Sequence, residues 1–351
     1  MNPTLIIGAG LIGASIGQRL TERGVEVFLD DTERAHAVVA ASRGAGLVAK
    51  PRPEYVALVV VATPPSSTAA TIVRALETYP NAAVTDVASV KASIEQAVLR
   101  ATGADIAARY IGSHPMAGSQ HTGPLTAAAD IFTDRTWVLV QRPGQSEDAI
   151  TAVQALIEIC GSRLVTMDAA QHDRVVAMVS HLPQLMSSLT AARLQGAAEP
   201  DLALAGQGLR DVTRVAGSDV GMWCQIVAAN TAAVKAQLEA VRDDLDGLID
   251  GLGDAATVAE MLQRGRDGAA ALPGKHGRAA SELISVVVRI PDTPGALARL
   301  FTDIEREGVN VEDLSIEHDP VSEVGYLAVQ VTPERAESLA DALRLADWLV
   351  R

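Results

Sequence analysis

The run Gly8-Ala9-Gly10-Leu11-Ile12-Gly13 narrows the choice of fold more than any other stretch of the chain. An apolar segment, Thr4 to Gly8, precedes it, and a helical pattern follows as far as Arg23. This is the strand–turn–helix setting in which G-x-G-x-x-G holds a dinucleotide. The first glycine makes the tight turn, the second lets the backbone approach a pyrophosphate, and the third lets helix and strand pack closely. The helix N-terminus then offers partial positive charge to the anion. Val25 to Leu29 reads as the next strand, with Asp30 at its end, where a carboxylate accepts from the adenosine ribose hydroxyls. Asp30 and Asp31 would repel a 2′-phosphate, so NAD is expected over NADP. Arg34 is the one neighbour that argues the other way.

The alternation continues. Thr32 to Arg43 fits a helix, and Val56 to Ala62 is an apolar strand stopped by Thr63-Pro64-Pro65. A helix over Ser67 to Glu77 precedes a strand at Ala83 to Asp86. Further strands fit Tyr110 to Ser113, Trp137 to Val140 and Arg163 to Met167. Strands apolar on both faces, alternating with helices, imply a parallel sheet covered by helices. The expectation is an α/β, Rossmann-type doubly wound domain over residues 1–168. Its cofactor positions are Gly8, Gly10, Leu11, Ile12, Gly13, Asp30, Thr63, Pro64 and Asp86.

From residue 169 to 270 helical periodicity in Ala, Leu, Met and Val takes over, which predicts an all-α domain. Two long amphipathic segments, Gln171 to Leu194 and Met222 to Ile249, are expected to pack on each other and on a second subunit. Residues 271–281, with Leu272-Pro273-Gly274-Lys275-His276-Gly277-Arg278, have linker composition. Residues 282–351 then read as strand (Leu283 to Ile290), helix (Pro294 to Glu307), strand (Val309 to Glu317), strand (Val324 to Val331), helix (Pro333 to Leu345) and a short strand at Trp348 to Val350. That βαββαβ order is ferredoxin-like.

A net charge of −14 excludes nucleic acid as a partner, because phosphates need a basic surface. A small anion can still bind where a few cations override the field. Aromatic residues make up 3% of the chain, so Ala, Val and Leu must fill the core. Cys160 and Cys224 lie far apart and are expected as buried free thiols; no Cys/His spacing suggests a metal site. The apolar N-terminus lacks a basic segment before it and is punctuated by glycines, unlike a signal peptide. No later apolar run is expected to reach the roughly 20 residues of a membrane span, and a cytoplasmic protein is the default.

Two polar loops follow strands: Thr85-Asp86-Val87-Ala88-Ser89-Val90-Lys91 and Ser113-His114-Pro115-Met116-Ala117-Gly118-Ser119. Further on stand His172-Asp173-Arg174, Ser180-His181-Leu182-Pro183, and Arg210-Asp211-Val212-Thr213-Arg214 with Trp223 nine residues later. In this order, with the glycine fingerprint, these stretches resemble the prephenate/arogenate dehydrogenase family. The resemblance implies NAD-dependent oxidative decarboxylation of prephenate to 4-hydroxyphenylpyruvate in tyrosine biosynthesis, or of arogenate to tyrosine. It implies that His114 accepts the ring-hydroxyl proton while hydride leaves for NAD, with Ser89 binding that hydroxyl or orienting the imidazole. It assigns substrate binding to His181 and Arg214, the latter through a guanidinium fork. Gln184 stands where many members have a second histidine, one helical turn from His181, and is expected to face the substrate side chain. Gly206-Gln207 and Cys224-Gln225 also depart from the family pattern. Lys91 is expected to support the structure through Asp86, Arg210 to be either a site or a solvated residue, and His172 and His121 to be helix-surface and loop residues.

Pro291-Asp292-Thr293-Pro294-Gly295-Ala296-Leu297 and Gly308-Val309-Asn310-Val311 resemble the ACT domain, an amino-acid-binding regulatory fold. That resemblance marks Gly295 and Asn310 as regulatory positions, with tyrosine as effector or with assembly as the domain's only role. Two other classes compete. A β-hydroxyacid dehydrogenase would place a lysine base on the second domain, and Ala169 to Leu194 contains none. A non-catalytic NAD or amino-acid sensor would have no need of His114, Ser89 and Arg214 together. The partners expected are therefore a small substrate and a second copy of the chain, with neither nucleic acid nor membrane.

Overall fold

The computed structural model describes residues 1–117, 123–272, 283–291, 293–319 and 324–351. The chain forms two compact units, Met1–Val241 and Arg242–Arg351.

The first unit is built on a seven-stranded sheet. Its strands are β1 (Thr4–Ile7), β2 (Val27–Asp30), β3 (Leu58–Val61), β4 (Ala83–Asp86), β5 (Tyr110–Pro115), β6 (Thr136–Val140) and β7 (Arg163–Met167), in the order β2-β1-β3-β4-β5-β6-β7. Five helices are interleaved: α1 (Leu11–Glu22), α2 (Arg34–Ser42), α3 (Pro65–Thr78), α4 (Ala92–Ala107) and α5 (Glu147–Ile159). β3 is buried along its whole length, as Leu58-Val59-Val60-Val61 requires of a strand covered on both faces. One face carries a core with Ile16, Leu20, Leu29, Trp137 and Leu156; the other packs Leu5, Val59, Ile72, Val84, Val98 and Tyr110.

The expected all-parallel sheet needs one correction. The pairs from β2 through β5 are parallel, but β6 runs antiparallel to β5 and only then does β7 run parallel to β6. A parallel step needs a crossover element. Among the described residues between β5 and β6 there is a short 3₁₀ turn, Pro124–Thr126, and no α-helix to carry the chain back.

The helical part of the first unit begins with α6 (Ala169–Val176), a π-helical turn at Ala177–His181, and α7 (Leu182–Ala192). The long helix expected here is continuous over Ala169–Ala192 but carries the π-helical turn just before Pro183, which has no N–H to donate and whose ring crowds the preceding turn. After α8 (Glu199–Leu202) and α9 (Gln207–Thr213) come α10 (Val220–Ala229) and α11 (Thr231–Asp250), the last of which runs on from the first unit into the second at Arg242. Asn230 leaves helical geometry between them (φ −121°, ψ 30°), which divides the second expected segment. Ile226 joins the buried cluster on the β3–β4 face, so α10 is seated on the sheet domain.

Contrary to the sequence-based expectation, one stretch, Ala169–Ala192, is long and apolar enough to cross a membrane by length and composition. Its buried side includes His172, Asp173, His181 and Gln184, all packed into the first unit. Its other side leaves Met178, Val179 and Leu189 exposed. Cys160 is buried, but Cys224 is exposed, which corrects the expectation of two buried thiols.

In the second unit α12 (Ala255–Ala270) precedes β8 (Ile284–Pro291), α13 (Ala296–Arg306), β9 (Asp313–Asp319), β10 (Val324–Val331), α14 (Pro333–Leu345) and β11 (Leu349–Val350). The four strands form an antiparallel sheet in the order β11-β8-β10-β9. Alternation along β10 turns Leu327, Val329 and Val331 inward, where they meet Leu300, Leu339 and Trp348. The βαββαβ order is as the pattern predicts.

Candidate active site

The glycine loop is shaped by contacts that no side chain could share. Gly8 has φ +102°, and a Cβ there would lie 2.4 Å from the Ala62 carbonyl oxygen. A Cβ on Gly13 would lie 1.9 Å from the Gly8 carbonyl oxygen, so α1 packs against its own strand only because position 13 is bare. Gly10 differs: a Cβ there would meet nothing within 4 Å. Gly10 caps α1, and no side chain bonds to that helix terminus. Open space in front of uncapped N–H groups suits a pyrophosphate. Leu11 and Ile12 open that helix. Asp30 ends β2, exposed, and Asp31 accepts from the Ala9 N–H (2.6 Å) and the Glu33 N–H (2.8 Å), tying the loop to the ribose edge. Thr63 and Pro64 follow β3 beside this loop, pinned by the Thr68 hydroxyl, which donates to either carbonyl at 3.0 Å. These residues fit a dinucleotide.

Asp86 is corrected as a cofactor contact. Its carboxylate is fully buried, bonded to Lys91 Nζ, the Tyr110 hydroxyl (2.7 Å) and the Ala88 N–H (2.9 Å). Burial and the Asp86 charge hold the Tyr110 phenol well above its usual range, so it stays a donor. Burial pulls the Lys91 ammonium downward, against Asp86, which favours its charge. This buried knot shapes the loop 87–91, which carries Ser89, half-buried. Lys91 supports the structure as expected.

β4 and β5 are parallel, so their carboxyl ends lie side by side. Ser113 Oγ donates to the Asp86 carbonyl at 2.8 Å and clamps those ends together. His114 follows on β5, opposite Val138, and only 8% exposed. Its Nδ1 is 2.9 Å from Nε2 of His172. His172 Nδ1 is in turn 2.8 Å from Asp173 Oδ1. The Asp173 carboxylate also accepts the Lys91 N–H (2.8 Å) and the Ala92 N–H (2.9 Å) at the start of α4. The expectation that His172 is a helix-surface residue is therefore wrong: its exposure is 0%.

Burial, followed by His172, Lys91 and His181, holds the His114 imidazole well below its ordinary pKa. Burial also lowers His172, with Asp173 opposing. His181, 1% exposed, is brought down to about 4, chiefly by burial, with the Asp173 charge pulling the other way. Burial raises Asp173, but the hydrogen bonds from His172, Ala92 and Lys91 outweigh it and leave the carboxyl below its usual range. At neutral pH the site thus holds three uncharged imidazoles and one carboxylate. His181 sits on the π-helical turn, with Trp223 edge-on at 5.9 Å and Asn230 Nδ2 3.3 Å from its Nδ1. Asn230 Nδ2 also donates to the Asp173 carbonyl at 2.8 Å.

Gln184 is buried, and its amide is engaged: Nε2 donates to the Val215 carbonyl (2.9 Å) and Oε1 accepts from Ser218 Oγ (3.4 Å). The expected contact with a substrate side chain is corrected accordingly; Gln184 anchors the turn Arg214–Gly217, which begins with the exposed Arg214. Arg210 is exposed on α9. Gly118, Ser119 and His121 lie outside the described residues, as do positions 273–281 of the expected linker. In the second unit Gly295 has φ +88° at the N-cap of α13, and Asn310 Nδ2 donates to Glu312 Oε1 at 2.9 Å.

His172, Asp173 and Asn230 were the residues that sequence reasoning missed. A signal was available for the first two. Positions 169, 172, 173, 176 and 177 are buried together at helical spacing, so both polar residues fall on the inward stripe of α6.

Residues 16–166 match the family described as "Prephenate dehydrogenase, nucleotide-binding domain", and residues 168–263 match "Prephenate dehydrogenase, dimerization domain". The chain is 37% identical to "Probable prephenate dehydrogenase NovF" of Streptomyces niveus, over 99% of both chains. It is 25% identical to the prephenate dehydrogenase of Lactococcus lactis over 99% of this chain and 98% of the relative. Among solved structures, Synechocystis arogenate dehydrogenase aligns at 25% identity with a TM-score of 0.65, covering 76% of this chain and 98% of that one. Prephenate dehydrogenase from A. aeolicus, in complex with hydroxyphenyl propionate and NAD+, aligns at 22% identity with a TM-score of 0.68, over 76% and 97% of the respective chains.

Proposed function

The chain belongs to the prephenate dehydrogenase family, and from that premise we propose that it oxidises and decarboxylates prephenate to 4-hydroxyphenylpyruvate with NAD as oxidant. The observation that carries the reading is His114, buried at the carboxyl end of β5, where burial holds its imidazole well below the ordinary pKa. Ligands gather at strand carboxyl ends in open α/β sheets. A general base must also be free of its proton at working pH.

Bound NAD supplies the hydride acceptor. His114 Nε2 takes the proton of the ring hydroxyl as the C4 hydride departs. The ring carboxylate leaves as carbon dioxide, its bonding electrons enter the ring, and the proton returns to the oxygen, which becomes the phenol. Aromatisation drives the loss of carbon dioxide. Ser89 meets the same hydroxyl from the neighbouring loop. His181, whose Nδ1 accepts from Asn230, offers Nε2–H to a substrate oxygen. Arg214 holds a substrate carboxylate on the turn that Gln184 anchors. Gly8, Gly10, Gly13, Leu11, Ile12, Asp30, Thr63 and Pro64 hold the cofactor.

The helical part of the chain joins two copies in a dimer, in keeping with the description of the second family match and with exposed apolar side chains at Met178, Val179 and Leu189. The four-stranded unit is read as an ACT module, supported by its βαββαβ order, with Gly295 and Asn310 near an effector site for tyrosine.

The test is NADH absorbance with purified protein, NAD and either prephenate or arogenate, the product being identified by chromatography. Hydroxyphenylpyruvate from prephenate is the expected result. Tyrosine from arogenate alone would change the substrate, and silence with both would overturn the proposal.

A further inference from the structure

His114 does not stand alone. A continuous line of short hydrogen bonds runs from it through His172 to Asp173, and each link has its polarity fixed by the one behind it. Asp173 can only accept: it is ionised, and the Lys91 and Ala92 N–H groups already point at it. The hydrogen between Asp173 and His172 therefore resides on His172 Nδ1. In an uncharged ring that leaves His172 Nε2 as a bare acceptor. The 2.9 Å contact to His114 then requires the hydrogen on His114 Nδ1, and so a lone pair on His114 Nε2.

We propose that His172 and Asp173 are positioning residues that lock His114 in the one tautomer able to accept the substrate proton. The proposal rests on the reading of His114 as the proton acceptor. Without the relay, the ring could carry its hydrogen on Nε2, present a donor to the hydroxyl, and lose function as a base. A free imidazole populates either neutral tautomer, so the choice must come from the protein. The relay has a rigid root. Asp173 is held by the first N–H groups of α4 and, through its own carbonyl, by Asn230 on the far side. His172 is enclosed, with 0% exposure, and its ring meets His114 edge-on at 5.1 Å between centroids, so neither ring can turn without breaking the line. A histidine serving only as filler would need neither the bond to His114 nor that to Asp173; an apolar side chain would fill the space without the desolvation cost of an imidazole.

Two substitutions at position 172 separate a relay from packing. His172→Leu keeps bulk and removes the acceptor. His172→Gln places an amide oxygen where Nε2 stood, and so still accepts from His114 Nδ1–H. The full-length protein, with 15N-labelled histidine, is examined by NMR for the His114 ring nitrogens, and kcat and KM are measured with prephenate and NAD. The expected result is a protonated Nδ1 and bare Nε2 on His114 in the wild type and in His172→Gln. In His172→Leu the tautomers mix, and kcat falls by about a hundredfold or more, the scale of general-base catalysis, with KM for either ligand little changed. Equal kcat in all three proteins, or equal losses in both variants with His114 unchanged in its tautomer, would overturn the relay. The NMR arm needs no substrate, so a wrong substrate assignment shows as an inactive wild type whose His114 tautomer still responds to His172→Leu.

Discussion

Asn230 holds His181 by a single ring nitrogen, its Nδ2 lying 3.3 Å from His181 Nδ1 while the same amide nitrogen reaches the Asp173 carbonyl at 2.8 Å. An amide nitrogen only donates, so His181 Nδ1 accepts and the ring hydrogen lies on Nε2. The site therefore pairs imidazoles of opposite polarity, a bare Nε2 on His114 and an Nε2–H on His181. Asn230→Leu should free the His181 ring and raise the KM for prephenate by about tenfold, the worth of one hydrogen bond. Steady-state kinetics with a thermal melt check this; a lower Tm with an unchanged KM would assign Asn230 to structure alone.

Acid should destabilise the first unit. His114, His172 and His181 are all held below their ordinary value, His181 at about 4. In the unfolded chain they would titrate near 6.5. Below that pH the unfolded state binds protons that the folded state refuses, so stability falls as pH falls. It is fully present above about pH 6.5 and is lost progressively toward the folded values, at up to about 1.4 kcal/mol per unit for each group. Melting curves between about pH 8 and pH 5 should show Tm dropping below pH 6.5, and a flat Tm across that range would contradict three buried neutral rings.

Two glycines in one motif should fail in different ways. Gly13→Ala drives a methyl group into the Gly8 carbonyl, and soluble folded protein should be lost or the Tm greatly reduced. Gly10→Ala meets nothing in the protein, at an ordinary φ of −75°, and should fold with an unchanged Tm. Its methyl group instead occupies the space in front of α1, so the Kd for NAD should rise by at least about tenfold, the loss of roughly 1.4 kcal/mol of binding. Calorimetric titration with NAD distinguishes these outcomes.

Exposed at the end of β2, Asp30 should set the cofactor preference. Asp30→Ser removes a charge that a 2′-phosphate would face, while Arg34 at the start of α2 remains. Turnover with NADP relative to NAD should rise by about tenfold or more. An unaltered ratio would shift the discrimination to Asp31 or elsewhere.

Arg214→Ala should chiefly raise the KM for prephenate, because a carboxylate contact is made in ground and transition states alike. The companion change Gln184→Leu removes one donor from the Val215 carbonyl and leaves those of Ser218, so it loosens the Arg214 turn and should raise the same KM by a smaller factor. If Arg214→Ala leaves KM untouched and lowers only Tm, the guanidinium is structural.

Much of the fold was legible because period and punctuation both act locally. Strands such as Leu58-Val59-Val60-Val61 are apolar on both faces, and Gly8, Gly10 and Gly13 mark a turn that only bare backbone can make. The reversed direction of β6 was not legible, since apolar pattern carries no strand polarity. Among the site residues, His114 could be read from its loop, but the relay behind it could not: 58 residues separate His114 from His172, and only packing of α6 on the sheet domain brings them together. Asp86 and Gln184 were misassigned for the same reason. Whether a polar side chain faces a ligand or its own protein depends on neighbours such as Tyr110 and Val215, distant in sequence.

His114 lies within β5, where the ladder to β6 pairs it with Val138. A proton acceptor built into a sheet cannot follow its partner, so the ring hydroxyl must come to a fixed point in the molecule. Arg214, by contrast, begins a short turn that Gln184 and Ser218 hold through the Val215 carbonyl. The two ends of the substrate thus meet supports of unequal stiffness. Divergence toward a keto or an amino side chain can proceed at the pliant end, through changes around positions 184 and 214–218, while the chemistry at the stiff end stays in register.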